Sequence, residues 1–175
     1  KTSYDTAAGT SFVIMDEVRV PVGNLLGVEN QGFKCVLTGF SHERWMMAVS
    51  AIASSRLALH DCLLWAQQRK VFGKPLLSQP VIQAKLAEMI QQVEGAHALL
   101  ELVTYQMENT PHQGMGKLLA GPIAMLKVRA TRAALIVSNH ATQIFGGRAI
   151  TKTGPGRNVE AFARSVKFNA VYGGS

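Results

Sequence analysis

From His42 to Arg69 the sequence contains neither proline nor glycine, and large apolar side chains recur there at spacings of three and four. Trp45, Val49, Ile52, Leu59, Leu63 and Ala66, together with Arg56, fall on one stripe of a helix. Ser41 is a suitable N-cap, and Gly73-Lys74-Pro75 stops the element. Gly32 to Phe40 is expected as a separate short helix. A second long helix is expected from about Pro80 to Glu108, with Ile82, Leu86, Met89, Val93, Ala96, Leu100, Val103 and Met107 on its inner face. Pro80 suits a first turn, where a missing N–H costs nothing. Thr110 to Gly114 breaks the pattern, and Lys117 to Gly121 adds one turn. A third long helix starts near Pro122 and ends at Phe145, before Gly146-Gly147. Thr153 to Gly156 is a turn, and Arg157 to Ala170 forms a last, shorter helix.

Three long helices with one apolar stripe each must bury those stripes together, and short links make neighbours antiparallel. The first 22 residues follow another pattern. Ser11 to Met15 is a short apolar run, and Val18 to Val22 alternates until Pro21 stops it. These read as one or two short strands, and an isolated pair of strands is marginal in water. The expected fold class is therefore mainly α, an up-and-down four-helix-type bundle with a short N-terminal β-strand tail. Ile123, Val128, Ile136 and Val137 suggest more apolar surface than one core needs, which points to self-association.

Composition narrows the function classes. The chain has 175 residues, 47% hydrophobic and 17% charged, which excludes a disordered or solvating segment. Lys and Arg number 18 against 11 Asp and Glu, a net charge of +7 that suits an anionic partner. The cations are spread over several helices without interleaved aromatics, so nucleic acid is not the expected partner. No run approaches ~18 consecutive apolar residues, and no helix pairs a basic face with an exposed apolar one, so no membrane contact is expected. Cys35 and Cys62 form no disulfide framework and read as free thiols in a reducing compartment.

Five segments invite a chemical reading. Gly114-Met115-Gly116-Lys117 is followed by Leu118 where a phosphate loop needs Ser or Thr, and no strand precedes it. His42, His60, His97, His112 and His140 have no metal-ligand spacing, and no metal site is expected. Gly146-Gly147 ends a helix instead of opening one, so on the residues alone it is a C-cap. Arg69 to Lys74 places three cations around Phe72 and Gly73. That is either a cationic helix end complementing its dipole or a diphosphate site with Arg69 as a planar clamp. Glu43 stands beside Trp45, Met46 and Met47. It is either an acidic residue favourable at a helix start or a carboxylate whose pKa an apolar wall raises, suited to a general base.

These segments occur in an order that resembles the C-terminal part of the acyl-CoA dehydrogenase family of flavoproteins. The resemblance is carried by Phe12 to Pro21, Asn24 to Gly27, Gly32-Phe33, Glu43-Arg44 and Arg69 to Leu76. It continues through Lys85 to Met89, Gln143 to Gly147, and Arg164 to the final Tyr172-Gly173-Gly174-Ser175. It implies that residues 1–28 are the end of a middle β-domain and its linker, and 29–175 the C-terminal helical bundle.

The resemblance further implies FAD as cofactor, an acyl-CoA thioester as substrate, and α,β-dehydrogenation as the reaction. Arg69 and Phe72 match positions that hold the FAD pyrophosphate from a neighbouring subunit. Gln143, Phe145, Gly146 and Gly147 match the loop at its adenosine half, and Ser175 a residue beside the flavin. Arg44, Tyr172 and Gly174 match substrate-side positions. Gly173 stands where most of the family has the catalytic glutamate. A minority places the base in a Glu-Arg pair at the start of the long helix, which here is Glu43-Arg44. Pro80, Arg148-Ala149-Ile150 and Ser165 also depart from the common pattern and indicate a divergent branch. The implied assembly is a homodimer or homotetramer through the bundle, with an electron-transferring flavoprotein as a partner, in the cytoplasm or the mitochondrial matrix. The segment alone is expected to be inactive. An acyl-CoA oxidase or other oxygen-using flavoenzyme on the same fold, and a non-catalytic helical oligomerisation module, are the alternatives.

Overall fold

The computed structural model describes residues 11–174. Five α-helices make up the body: α1 Gly32–Gln68, α2 Pro80–Glu108, α3 His112–Leu118, α4 Ala120–Phe145 and α5 Arg157–Val171. A two-residue hairpin, β1 Lys70–Val71 and β2 Lys74–Pro75, joins α1 to the approach of α2. A 3-10 turn, Gly146–Ile150, follows α4.

The α4 helix lies at the centre and packs on α1, α2 and α5. Its buried face runs from Ile123 through Leu126, Ala130, Ala134 and Val137 to Phe145. On α1 the facing residues are Ala48, Ala51, Ile52, Ala58, Cys62 and Ala66. Small side chains on both partners let the two axes approach closely, and packing of this kind sets helix orientation. Met89, Val93 and Val103 of α2 and Val159, Phe162 and Val166 of α5 close the core from the other sides. Trp45 fixes α1 to α2 at one polar point, its Nε1 donating to Thr104 Oγ1 at 2.9 Å.

The bundle and the second helix match the sequence reading, and three local expectations fail. Gly32 to Phe40 is the start of α1, not a separate helix, and Ser41 is buried inside α1 with no capping role. A serine costs only a few tenths of a kcal/mol in a helix interior, and no proline stands near enough to stop propagation. The buried stripe of α1 follows its alanines, so Val49, Arg56 and Leu63 are only partly covered. Residues 11–20 form no strand, because no second strand offers them hydrogen bonds among the described residues. Their apolar side chains are exposed, Phe12 at 91%.

Two further expectations change. Ile123 and Val137 belong to this chain's own core, and Val128 and Ile136 are half-buried. They are therefore no argument for a partner subunit. Among the described residues α1 is long and apolar enough to cross a membrane by length and composition. Its alanine face is sealed against α4, which marks it as a core helix here.

Cys62 is fully buried, and burial, then the nearby Asp61 charge, push its thiol up to about 12. Cys35 is exposed. With a folded pKa above that of the unfolded thiol, Cys62 stays protonated and unreactive near neutral pH. We expect one of the two thiols to react rapidly with a thiol reagent in the folded chain, and both in denaturant. Equal rapid labelling of both in the native state would contradict this packing.

Candidate functional site

The sequence candidates gather at the two ends of α1. Toward its start, Glu43 borders a groove of about 390 Å³. The groove is walled by Met46 and Met47 of α1 and Phe168 of α5, with Tyr172 closing one side and His42, Ser50 and Asn169 supplying polar atoms. A helix puts residues three and four apart on one face, so Glu43, Met46, Met47 and Ser50 line one wall. Phe168 and Tyr172 stack at 5.0 Å between centroids and form the facing wall. Glu43 itself is exposed, so this chain's described residues do not supply the buried setting read from its neighbours.

Beyond α5 the chain turns through Gly173 and Gly174, with φ of +71° and +83°. Arg44 donates from Nε to the Gly173 carbonyl at 3.0 Å. A side chain at Gly173 would start 2.8 Å from the Met47 thioether, in a backbone conformation that disfavours any Cβ. The Met47 thioether thus lies where a side chain at Gly173 would begin. Burial and the Arg44 charge push the ammonium of Lys127, which also reaches this turn, below the usual lysine range. Ser175 lies outside the described residues.

At the other end of α1, Arg69 meets Phe145, Gly146 and Gly147 in a groove of about 530 Å³. Trp65 stacks on Phe145 at 5.1 Å and 12° and forms its floor. Arg148 and Thr151 line the rim. Gly146 has φ +58°, and neither Gly146 nor Gly147 has any atom within 4 Å of where a side chain would begin. Exposed glycine backbone, two guanidinium groups and an aromatic floor suit a ligand with phosphates and a flat ring. These donors fit the adenosine and pyrophosphate parts of FAD. Gln143 and Phe72 are not part of the groove lining. Phe72, 96% exposed with φ +52°, sits at the tip of the hairpin, and Gln143 is exposed on α4.

About 40 Å of helix axis separates Glu43 from Arg69 at 1.5 Å per residue. The two grooves are therefore separate places on the chain, at opposite ends of α1. Sequence reasoning missed Lys127, Trp65, Arg148 and Met47. A lysine on the inner face of an otherwise apolar helix was the available signal for Lys127.

Comparison with known proteins places this architecture. Residues 30–175 match the acyl-CoA dehydrogenase C-terminal domain. The acyl-CoA dehydrogenase apdG of Emericella nidulans is 35% identical over 175 residues, covering all of this chain and 40% of that protein. The acyl-CoA dehydrogenase AFT10-1 of Alternaria alternata is 36% identical over 181 residues, covering all of this chain and 41% of that protein. Butyryl-CoA dehydrogenase of Megasphaera elsdenii superposes with a TM-score of 0.80 at 31% identity, over 93% of this chain and 40% of that one. The chain belongs to the acyl-CoA dehydrogenase family and has the fold of its C-terminal helical domain. It spans about 40% of the length of the curated relatives it matches.

The second groove depends on one close approach. Gly156 at the start of α5 is buried, and a side chain there would collide with the Arg148 carbonyl. Gly156→Ala is expected to displace Arg148 and Ala149 and to cost about 1–3 kcal/mol, as overpacking does. Urea unfolding measures this, and an unchanged midpoint would contradict the contact.

Proposed function

We propose that this chain is the C-terminal bundle of an FAD-dependent acyl-CoA dehydrogenase, with residues 1–28 the end of the middle β-domain and 29–175 the bundle. The observation that carries this reading is the pairing of Glu43 on the acyl groove with a Gly173 position that Met47 fills. A base is needed at this groove, and Glu43 is the carboxylate on its wall.

The acyl α-carbon bears protons that the thioester acidifies. Glu43 accepts one of them as general base, in reach of a thioester held between the methionine and aromatic walls. The redox chemistry, uptake of the hydride leaving the β-carbon, would be supplied by FAD. Arg44 is held to the Gly173 carbonyl and fixes the turn after α5 beside the groove. Tyr172 closes one side of the groove, and with Gly174, two residues further on, is proposed to face the thioester. The exposed side of Glu43 is proposed to be covered by the rest of the enzyme.

Arg69 and Arg148 are proposed to clamp the pyrophosphate of an FAD whose flavin lies in a neighbouring subunit, with Gly146 and Gly147 beneath its adenosine. The separation of the two grooves along α1 supports this arrangement in trans. The proposed assembly is a homodimer or homotetramer through the bundle. Acyl-CoA is the proposed substrate and an electron-transferring flavoprotein the proposed redox partner.

Glu43→Gln in the full-length enzyme tests the reading. Turnover of acyl-CoA is expected to fall by about 10³-fold, within the range general-base removal produces, with FAD content retained. Unchanged turnover would remove Glu43 from the mechanism.

A further inference from the structure

Lys127 is the largest fully buried side chain in the described core, 2% exposed on the inner face of α4. Among the described residues no carboxylate pairs with it. A buried ammonium without a counter-ion is costly, and it persists only where its protons are well bound. Its Nζ donates to the Ala170 carbonyl and to the Gly174 carbonyl, each at 2.6 Å.

Those two acceptors have different origins. Ala170 lies in the last turn of α5, where carbonyls lack partners within the helix and a cation meets the negative end of the dipole. Gly174 lies beyond the helix, the second of two glycines with left-handed backbone. Such glycines have wide conformational freedom, so local sterics do not hold this turn. One ammonium therefore ties the helix end to the segment leaving it. Arg44, from α1, holds the intervening Gly173 carbonyl. Because a peptide unit is planar and trans, fixing these carbonyls also fixes the direction of the adjoining N–H groups. Tyr172, which walls the Glu43 groove, is carried between the two clamps.

We infer that Lys127 is a positioning residue: by clamping the Ala170 and Gly174 carbonyls it sets the turn bearing Tyr172 against the acyl groove, with Arg44 as the second clamp. The inference rests on the reading of that groove as the substrate site. Lys127 acts through backbone carbonyls and is not assigned contact with the substrate.

The test uses the full-length, FAD-loaded enzyme with butyryl-CoA as probe. Lys127→Met leaves an unbranched apolar side chain, one bond shorter than lysine, and removes its donors. Amide hydrogen exchange over 170–174 is expected to rise about tenfold while exchange in the α2 core stays at the wild-type rate. KM is expected to rise about tenfold with kcat changed by less than about threefold, the split expected when binding geometry and not chemistry is damaged. Lys127→Arg, which keeps donors at the site, is expected to recover most of the KM change. Wild-type exchange over 170–174 in Lys127→Met overturns the inference, whatever the activity. Should Lys127→Met not fold, Lys127→Gln is read in the same way: one bond shorter, it does not span both carbonyls, and wild-type exchange there overturns the inference equally. The base assignment fails separately. Glu43→Gln with full turnover removes the base and leaves the exchange result standing, whereas an inactive Glu43→Gln beside an unaltered turn in Lys127→Met removes only the clamp.

Discussion

The alanine seam between α1 and α4 is the constraint on which the rest of the molecule depends. Ala48, Ala51, Ala58 and Ala66 of α1 and Ala130, Ala133, Ala134 and Ala141 of α4 are all at most 2% exposed, and these two helices share the most extensive contact in the bundle. Close-packed small residues leave little freedom for one helix to slide or turn on the other. Both grooves inherit their geometry from that seam. Arg44 and Lys127 approach the same turn because their helices are locked together. Trp65 and Phe145 stack because the far ends of the same two helices are equally fixed.

The turn after α5 is shaped by its two glycines. Gly173 admits a left-handed backbone, and the Met47 thioether lies where a side chain there would begin. The glycine pair then needs an external hold, which two cations from two helices provide. A net charge of +7 suggested anionic ligands. Part of that surplus instead serves backbone carbonyls inside the protein.

Much of the fold could be read from the sequence where large aliphatic residues mark the buried face. The inner face of α2 is of this kind: Ile82, Leu86, Met89, Val93 and Val103 are all buried. The face of α1 was displaced by about a residue because alanines carry it, and a reading that follows bulky side chains overlooks them. Ser41 resembled a cap, but a cap needs a non-helical backbone, and nothing there interrupts the helix. The strand expectation for residues 11–20 rested on a local pattern, whereas a strand exists only with a partner. In the site, Arg69 and the Gly146-Gly147 pair were individually weak signals. Folding joins them in one groove, and the same folding leaves Phe72 and Gln143 outside it. Lys127 was hidden because a lysine is ordinarily assigned to a solvated face.

In the proposed assembly each chain carries two half-sites serving different copies of the cofactor, with Glu43 acting in its own subunit and Arg69 across the interface. Mixed oligomers test this directly: full-length subunits carrying Glu43→Gln are combined with subunits carrying Arg69→Glu, each inactive alone. In an arrangement in trans, one of the two sites in a mixed dimer has an intact Glu43 and an intact Arg69. The account predicts that activity returns on mixing, to roughly half the wild-type level per mixed dimer. Mixed dimers that form and stay as inactive as their parents would contradict it, because Glu43 and Arg69 would then belong to the same subunit's site.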